Sequence, residues 1–206
     1  IVFIVLVIIK MYTPEPTDWS PSFSKNDKIP FGSYILYNQL SDLFPNKKIE
    51  STNLPFYNIT NEKKIENKNI VIICNQFDPD ELDAKILTKL LVNGNDVFVA
   101  ANSIGKFIAD SIKLSTSYSF FGGFDSAYVN FSNPILKRND DYRFIKGNYN
   151  HYFASFDTSK VVVLGTNDIG FANFLKVKIG KGDIYIHSVP NMFTNYNLLK
   201  TEREYI

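Results

Sequence analysis

The stretch NIVIICNQFDPDELDAKILTKLLVNGNDVFVAA, residues 69–101, decides the fold of this chain. It begins with Ile70-Val71-Ile72-Ile73-Cys74, a run rich in β-branched residues that is typical of a parallel strand buried on both faces. A helical pattern follows, in which Asp78 can cap the start and Gly94 suits a left-handed end. Asp96-Val97-Phe98-Val99-Ala100-Ala101 is a second apolar strand. A strand, a helix and a strand with short connections form a βαβ unit, whose two strands lie parallel in one sheet. The sequence therefore predicts an α/β fold.

The regions on either side of this unit are predicted to complete a mixed sheet. Residues 32–44 carry apolar side chains at the spacing of one helical face. Strand signals over residues 161–188 are interrupted by turn residues at 167–170 and 180–182, which indicates antiparallel hairpins. Residues 115–150 alternate aromatic and polar side chains and are interpreted as an irregular insertion or a strand meander. We therefore expect parallel core strands followed by antiparallel C-terminal hairpins.

Composition excludes several classes of function. The chain has 206 residues, of which 45% are hydrophobic, so it can bury a full core. Its formal net charge of +1 comes from nearly equal acidic and basic counts, so we expect no nucleic-acid partner. One cysteine, Cys74, and two histidines, His151 and His187, make an internal disulfide impossible and a zinc site improbable. We expect no metal and no cofactor.

The first residues indicate attachment to a membrane. Ile1-Val2-Phe3-Ile4-Val5-Leu6-Val7-Ile8-Ile9 is followed by Lys10 and Tyr12, residue types common where a transmembrane helix leaves the bilayer. A signal-peptide core and a buried strand are alternatives for this run. Residues 13–30 contain four prolines and are predicted to form an extended tether. The predicted organisation is the end of a transmembrane segment at 1–12, the tether at 13–30, and a C-terminally incomplete α/β domain at 31–206. The domain is expected to be extracytoplasmic, and periplasmic in a bacterium.

Three motifs carry a resemblance to a known family. They are Lys28-Ile29-Pro30-Phe31-Gly32-Ser33-Tyr34-Ile35-Leu36-Tyr37, the turn Asn75-Gln76-Phe77-Asp78-Pro79-Asp80, and Gly180-Lys181-Gly182-Asp183-Ile184-Tyr185-Ile186-His187-Ser188-Val189-Pro190 followed by Phe193-Thr194-Asn195. Together they resemble the bacterial domain of unknown function 4350. The resemblance implies a three-layer flavodoxin-like or glutamine-amidotransferase-like fold and a membrane-anchored protein. It also implies a functional link to MoxR-type AAA ATPases.

An amidotransferase of that fold needs a cysteine nucleophile on the sharp turn after a strand, activated by a histidine. Here the corresponding place is Val99-Ala100-Ala101-Asn102-Ser103-Ile104-Gly105, which contains no cysteine. Ala100 or Ala101 would occupy the nucleophile position, and Ser103 is the only hydroxyl. Its surroundings do not form a G-x-S-x-G elbow, so Ser103 is interpreted first as a cap or turn residue for the next helix.

The candidate ligand site is the crevice at the carboxyl ends of the strands, which is the usual binding place in open α/β sheets. Its predicted residues are Asn75, Gln76, Asn102, Ser103 and His187. The leading hypothesis is a non-catalytic interaction domain that holds a peptide, a glycan or another envelope protein there. The alternative is a hydrolase or transferase with Ser103 as nucleophile and His187 as base. A third hypothesis makes the domain a spacer in a larger assembly.

Overall fold

The computed structural model describes Phe3 and residues 12–119, 126–147 and 150–206. Its α-helices are α1 (Tyr34–Leu43), α2 (Phe56–Glu62), α3 (Glu81–Val92), α4 (Lys106–Ile112) and α5 (Asn195–Lys200). Its strands are β1 (Asn69–Ile73), β2 (Gln76–Phe77), β3 (Asp96–Ala100), β4 (Ser103–Ile104), β5 (Ser115–Ser119), β6 (Ser126–Phe131), β7 (Tyr142–Ile145), β8 (Asn150–Ser155), β9 (Val161–Asn167), β10 (Ala172–Ile179) and β11 (Gly182–His187). Short 3-10 helices lie at Pro190–Phe193 and Arg203–Tyr205.

Seven strands form a curled mixed sheet in the order β1-β3-β11-β10-β9-β6-β7. β1 pairs in parallel with β3, from Asn69↔Asp96 to Ile73↔Ala100, and β11 pairs in parallel with the other side of β3. The next strands along the sheet, from β10 to β7, are all antiparallel. The prediction of an α/β fold with parallel core strands and antiparallel hairpins is confirmed.

The region 115–150 adds strands that the sequence left open. β6 pairs with β9, and β7 extends the sheet from β6. β5 and β8 form a separate antiparallel pair. Residues 120–125 and 148–149 lie outside the described part of the chain. In this region β6 and β7 therefore continue the main sheet, and β5 belongs to a separate two-stranded sheet.

Core side chains lie on both faces of the sheet, because successive residues of β3 point to opposite sides. Val97 and Val99 belong to an apolar cluster that includes side chains of α3 and α4. Ala100 belongs to a second cluster with α1 and the C-terminal segment, and Phe98 packs against that cluster. Full burial of one such valine contributes about 1.5–3 kcal/mol to stability. The strand β3 is thus the centre of both cores.

The helix α3 begins two residues later than the sequence suggested. Asp80, rather than Asp78, is its N-terminal cap, and its side chain accepts a hydrogen bond from the backbone N–H of Asp83 at 2.8 Å. Asp78 lies instead against Gly105, where an added Cβ would come within 1.9 Å of Asp78 Oδ1. The turn after β2 is therefore packed directly on the start of α4.

The predicted membrane anchor is contradicted. A helix that crosses a bilayer needs about 20 apolar residues, and among Phe3 and residues 12–119, 126–147 and 150–206 no helix is both long enough and apolar enough. The predicted membrane partner and membrane-anchored location are wrong for the same reason. Residues 1–2 and 4–11, which make up most of the apolar run, lie outside the described residues.

The segment predicted as a tether, residues 13–30, contacts the rest of the chain through its tryptophan. The ring of Trp19 lies 5.5 Å from that of Phe31 and 5.3 Å from that of Tyr196, both in edge-on geometry. Such aromatic pairs contribute about 0.5–1.5 kcal/mol beyond the area that they bury. The domain limits drawn from the sequence are not tested by these contacts and stay a prediction.

Candidate functional site

The candidate crevice lies where the parallel strands separate. The backbone N–H of Ala101 donates to the carbonyl of His187 at 3.0 Å, and this is where β3 and β11 part. Beyond that point the chains of β1 and β3 stay together, because Asn102 N donates to Asn75 O at 3.0 Å and β2 then pairs with β4. The chain after β11 turns into the 3-10 helix Pro190–Phe193 instead. The result is a fork at the carboxyl end of β3.

Two asparagine side chains meet at this fork. Asn102 Nδ2 donates to Asn75 Oδ1 at 2.8 Å. Asn75 is exposed and Asn102 is half-buried. Within the described residues this is their one side-chain hydrogen bond, so the Nδ2 group of Asn75 and the Oδ1 atom of Asn102 are left to solvent or to a ligand. The pair therefore presents one donor group and one acceptor atom side by side.

Gln76 and Ser103 occupy the next step beyond this amide pair. They are aligned with each other in the parallel pairing of β2 with β4. Gln76 is exposed and Ser103 is half-buried. The N-terminal cap of α4 is Gly105, so the interpretation of Ser103 as a helix cap is wrong. Strand pairing holds Ser103 in an extended conformation, and the helix starts after it.

His187 is held in the core, and its imidazole is not open to the crevice. Only 1% of its surface is exposed. Its Nδ1 accepts a hydrogen bond from the backbone N–H of Val189 at 3.1 Å, so its proton lies on Nε2, which is 3.1 Å from the hydroxyl oxygen of Tyr205. Burial lowers the pKa of His187 from 6.5 to about 3. The imidazole is therefore neutral, and both of its nitrogens are engaged.

The hydrogen bonds of His187 decide whether it can act as a base for Ser103. A general base needs a nitrogen with an unshared electron pair within hydrogen-bond reach of the nucleophile. In His187 that electron pair, on Nδ1, already accepts the N–H of Val189. The geometry therefore gives Ser103 no base in His187.

The neighbouring thiol is also a poor nucleophile. Cys74 is half-buried at the end of β1, and burial raises its pKa to about 11. Thiolate is the reactive form of cysteine. At neutral pH the Cys74 side chain is accordingly a thiol that packs against the apolar cluster below β1.

A buried polar residue near the fork was missed from the sequence. Asn173 is fully buried at an irregular step in the pairing of β10 with β9. Its backbone carbonyl accepts from Ser188 N at 2.9 Å, yet its side-chain Oδ1 and Nδ2 have no hydrogen-bond partner among the described residues. Ser188 in turn donates from Oγ to the carbonyl of His151 at 2.7 Å. The one sequence signal for Asn173 was the abundance of asparagine in the chain, which does not indicate any particular asparagine.

The structure offers no ready metal centre in the part of the chain that it describes. No group of three or more His, Cys, Asp or Glu side chains is placed there to hold an ion. The chemistry that remains at the fork is hydrogen bonding by amides and a hydroxyl.

Comparisons with known proteins do not assign the chain to a family. No protein-family model matches it, and no curated protein matches it. The resemblance to the domain of unknown function 4350 is therefore not shown.

Solved structures give distant matches only. A protein described as one of the subunits of GMP synthase, from Thermoplasma acidophilum, matches with 12% identity and a TM-score of 0.47, over 79% of this chain and 80% of that one. A β-galactosidase from Bacillus circulans sp. alkalophilus matches with 10% identity and a TM-score of 0.43, over 64% of this chain. Gan42B, a GH42 β-galactosidase from G. stearothermophilus, matches with 11% identity and a TM-score of 0.42, over 68% of this chain. The matches cover only 22% and 20% of those two galactosidase chains. These scores assign neither an activity nor a fold family.

Proposed function

We propose that this chain is a non-catalytic binding domain with a three-layer amidotransferase-like fold, whose ligand crevice is the fork at the carboxyl ends of β1 and β3. Parallel core strands and apolar clusters on both faces of β3 support the layered arrangement. The observation that carries the binding proposal is the hydrogen bond between Asn75 and Asn102. Two residues that are 27 positions apart in sequence bring their amides together at an accessible edge.

The ligand that fits this pair is neutral and rich in hydrogen-bonding groups. One amide donor beside one amide acceptor is complementary to a peptide group or to a sugar hydroxyl, each of which both donates and accepts. Gln76 and Ser103 are aligned with each other one residue further along the two chains. A peptide segment or a glycan is therefore the proposed ligand class. A MoxR-type ATPase as a partner rests on the sequence resemblance alone.

The proposed domain is non-catalytic because this site lacks both a nucleophile at the amidotransferase position and a base for Ser103. The place of the amidotransferase nucleophile is taken by Ala100 and Ala101, both fully buried. Ser103 has no base in His187, because the unshared pair of that imidazole accepts the N–H of Val189. Binding needs only the amides and the hydroxyl that are present.

The experiment compares the wild-type chain with Asn75→Phe and Asn102→Phe in affinity capture and in binding to peptide and glycan arrays. A matched control is Asn139→Phe, on an exposed loop outside the helices and strands. Circular dichroism checks that each variant is folded. We expect both crevice variants to lose the captured partners or array signals that the control retains. Unchanged binding in both crevice variants would refute the proposal.

A second measurement tests the non-catalytic part. Ester and amide substrates are offered to the wild-type chain and to Ser103→Ala. We expect no turnover by either chain. Turnover that disappears in Ser103→Ala would establish the hydrolase instead.

A further inference from the structure

Two aromatic rings form a stacked pair at the surface, on elements that contribute nothing to the fork. Tyr152 of β8 and Phe171, the residue before β10, have ring centroids 4.4 Å apart and ring planes only 19° apart. Phe171 is 44% exposed, and Tyr152 is half-buried. Stacking covers one face of each ring, so Phe171 offers its other face and its edges to solvent. We call this pair the aromatic platform.

A buried amide network holds the aromatic platform in place. The backbone N–H of Asn167 donates to Phe171 O at 2.8 Å, and its Oδ1 accepts from the backbone N–H of Phe171 at 2.8 Å. Its Nδ2 donates to Asn150 Oδ1 at 3.2 Å, which ties the turn that carries Phe171 to the start of β8. Asn167 and Asn150 are both buried. A satisfied buried network is rigid, so both rings are positioned before any ligand arrives, and the entropy cost of binding is lowered.

Hydrogen-bonding groups surround the platform. Asp168 is exposed, and its Oδ1 accepts from Asn150 Nδ2 at 2.8 Å. Its Oδ2 has no partner among the described residues, so this oxygen can accept two more hydrogen bonds. Ser117 lies opposite Tyr152 in the pairing of β5 with β8, and opposite residues share a face of the strand pair. The hydroxyl groups of these two residues form no hydrogen bond with another described residue.

This set of groups suits a neutral sugar. The negative face of an aromatic ring attracts the partly positive C–H groups on one side of a pyranose, while hydroxyl and carboxylate groups bond the sugar hydroxyls. β5 and β8 contain no Asp, Glu, Lys or Arg. The carboxylate of Asp168 disfavours an anionic ligand. A cation is best held by rings on several sides, whereas these two rings stack nearly in parallel.

We propose that the aromatic platform is a binding subsite for a neutral carbohydrate. A pyranose ring stacks on the exposed face of Phe171, and its hydroxyls donate to Asp168 Oδ2. The hydroxyls of Ser117 and Tyr152 bond the sugar beside the stack. The subsite uses no residue of the fork, so it stands whether or not the fork binds a ligand.

The test is affinity electrophoresis of the full chain in gels that contain a neutral polysaccharide: soluble starch, hydroxyethyl cellulose, galactomannan or xylan. We expect at least one of them to retard the wild type. Phe171→Leu keeps an apolar side chain but removes the aromatic face, so it should weaken this binding at least about tenfold. Phe171→Trp keeps a flat ring and should bind like the wild type. The control Tyr57→Leu, at a 46% exposed position on α2, should also bind like the wild type.

A second variant tests the polar part of the subsite. Asp168→Asn keeps an oxygen for Asn150 but replaces the other carboxylate oxygen with a donor, so it should weaken the same binding several-fold. Circular dichroism checks that every variant is folded.

Three results would overturn the proposal. The first is a wild type that none of the four polysaccharides retards. The second is retardation by polygalacturonate alone, which would indicate an anionic ligand. The third is polysaccharide binding that Phe171→Leu retains. If that binding is lost in Asn75→Phe instead, the glycan binds at the fork, so the two proposals fail separately.

Discussion

Replacing His187 with glutamine should make the stability of the folded protein less dependent on pH between about pH 7.5 and pH 5.5. The folded chain keeps His187 neutral, with a pKa lowered by burial from 6.5 to about 3. The unfolded chain takes up the proton first, so the contribution of His187 to stability is complete above about pH 6.5 and falls as the pH drops toward 3. Glutamine does not titrate in this range and cannot contribute to that fall.

The magnitude follows from linkage. Between pH 7.5 and pH 5.5 the histidine of the unfolded chain takes up its proton while that of the folded chain does not, so the loss of stability from His187 over this range is on the order of 1 kcal/mol. At pH 7.5 the variant should already be less stable by about 1–3 kcal/mol, because the buried N–H of Val189 loses its acceptor on Nδ1. The gap between wild type and variant should therefore narrow as the pH falls.

Urea unfolding of both chains at pH 7.5, 6.5 and 5.5 measures this difference directly. His151→Gln is the control, because burial lowers the pKa of His151 as well, but this histidine is only half-buried. We expect a smaller change in pH dependence for it than for His187→Gln. Equal pH dependence of wild type and His187→Gln would show that the imidazole is not held neutral in the folded state, and the argument about its role would fail.

Three further predictions concern buried contacts around β1, β3 and α4. Gly105→Ala should destabilise the chain by about 1–3 kcal/mol, because the new Cβ would lie 2.7 Å from Asp78 Cα, a backbone atom that cannot turn aside; thermal unfolding measures this. Asn95→Ala should lower the free energy of unfolding by about 2–4 kcal/mol, measured by chemical unfolding. The buried Asn95 donates from Nδ2 to Leu90 O at 2.9 Å and accepts at Oδ1 from the backbone N–H of Lys68 at 2.9 Å. The exposed control Asn139→Ala should change the free energy of unfolding little. Cys74 should react with thiol reagents at pH 7.5 at least about a hundredfold more slowly than in urea, because burial raises its pKa to about 11; equal rates would contradict its burial.

The parts of the fold that the sequence predicted depend on local patterns. The βαβ unit from β1 to β3 follows from an apolar run, a helical stripe and a second apolar run within 33 residues. The pairing of β6 with β9 does not follow from a local pattern. Val129 lies opposite Asn167, and the sequence around neither residue indicates that the two strands pair. Alternating aromatic and polar residues fit both an exposed meander and strands of a curled sheet. Tertiary pairing decides between the two.

In the candidate site, too, some features could be predicted from local sequence patterns and others could not. Asn75 and Asn102 could be expected to meet, because each lies two residues beyond the end of one of two parallel strands, and such strands end at one edge of the sheet. The state of His187 could not be predicted, because its Nε2 partner, Tyr205, lies 18 residues later in an irregular C-terminal segment. The role of Ser103 was misassigned because serine suits a helix cap as well as a strand, and its pairing with Gln76 is visible only in three dimensions.

The position of His187 links the stability of this chain to its proposed lack of catalysis. At the carboxyl end of a central strand an imidazole could serve as a base if its unshared pair faced the crevice. Here the chain turns directly after β11, and this turn delivers the N–H of Val189 to Nδ1. The rings of Phe174 and Phe193, each 5.3 Å away, close around the same imidazole. To act as a base, His187 would have to break a buried hydrogen bond and leave an aromatic core. The same contacts that stabilise the end of β11 therefore keep this histidine from acting as a base, which agrees with the proposal that the amides across the fork bind a ligand without catalysis.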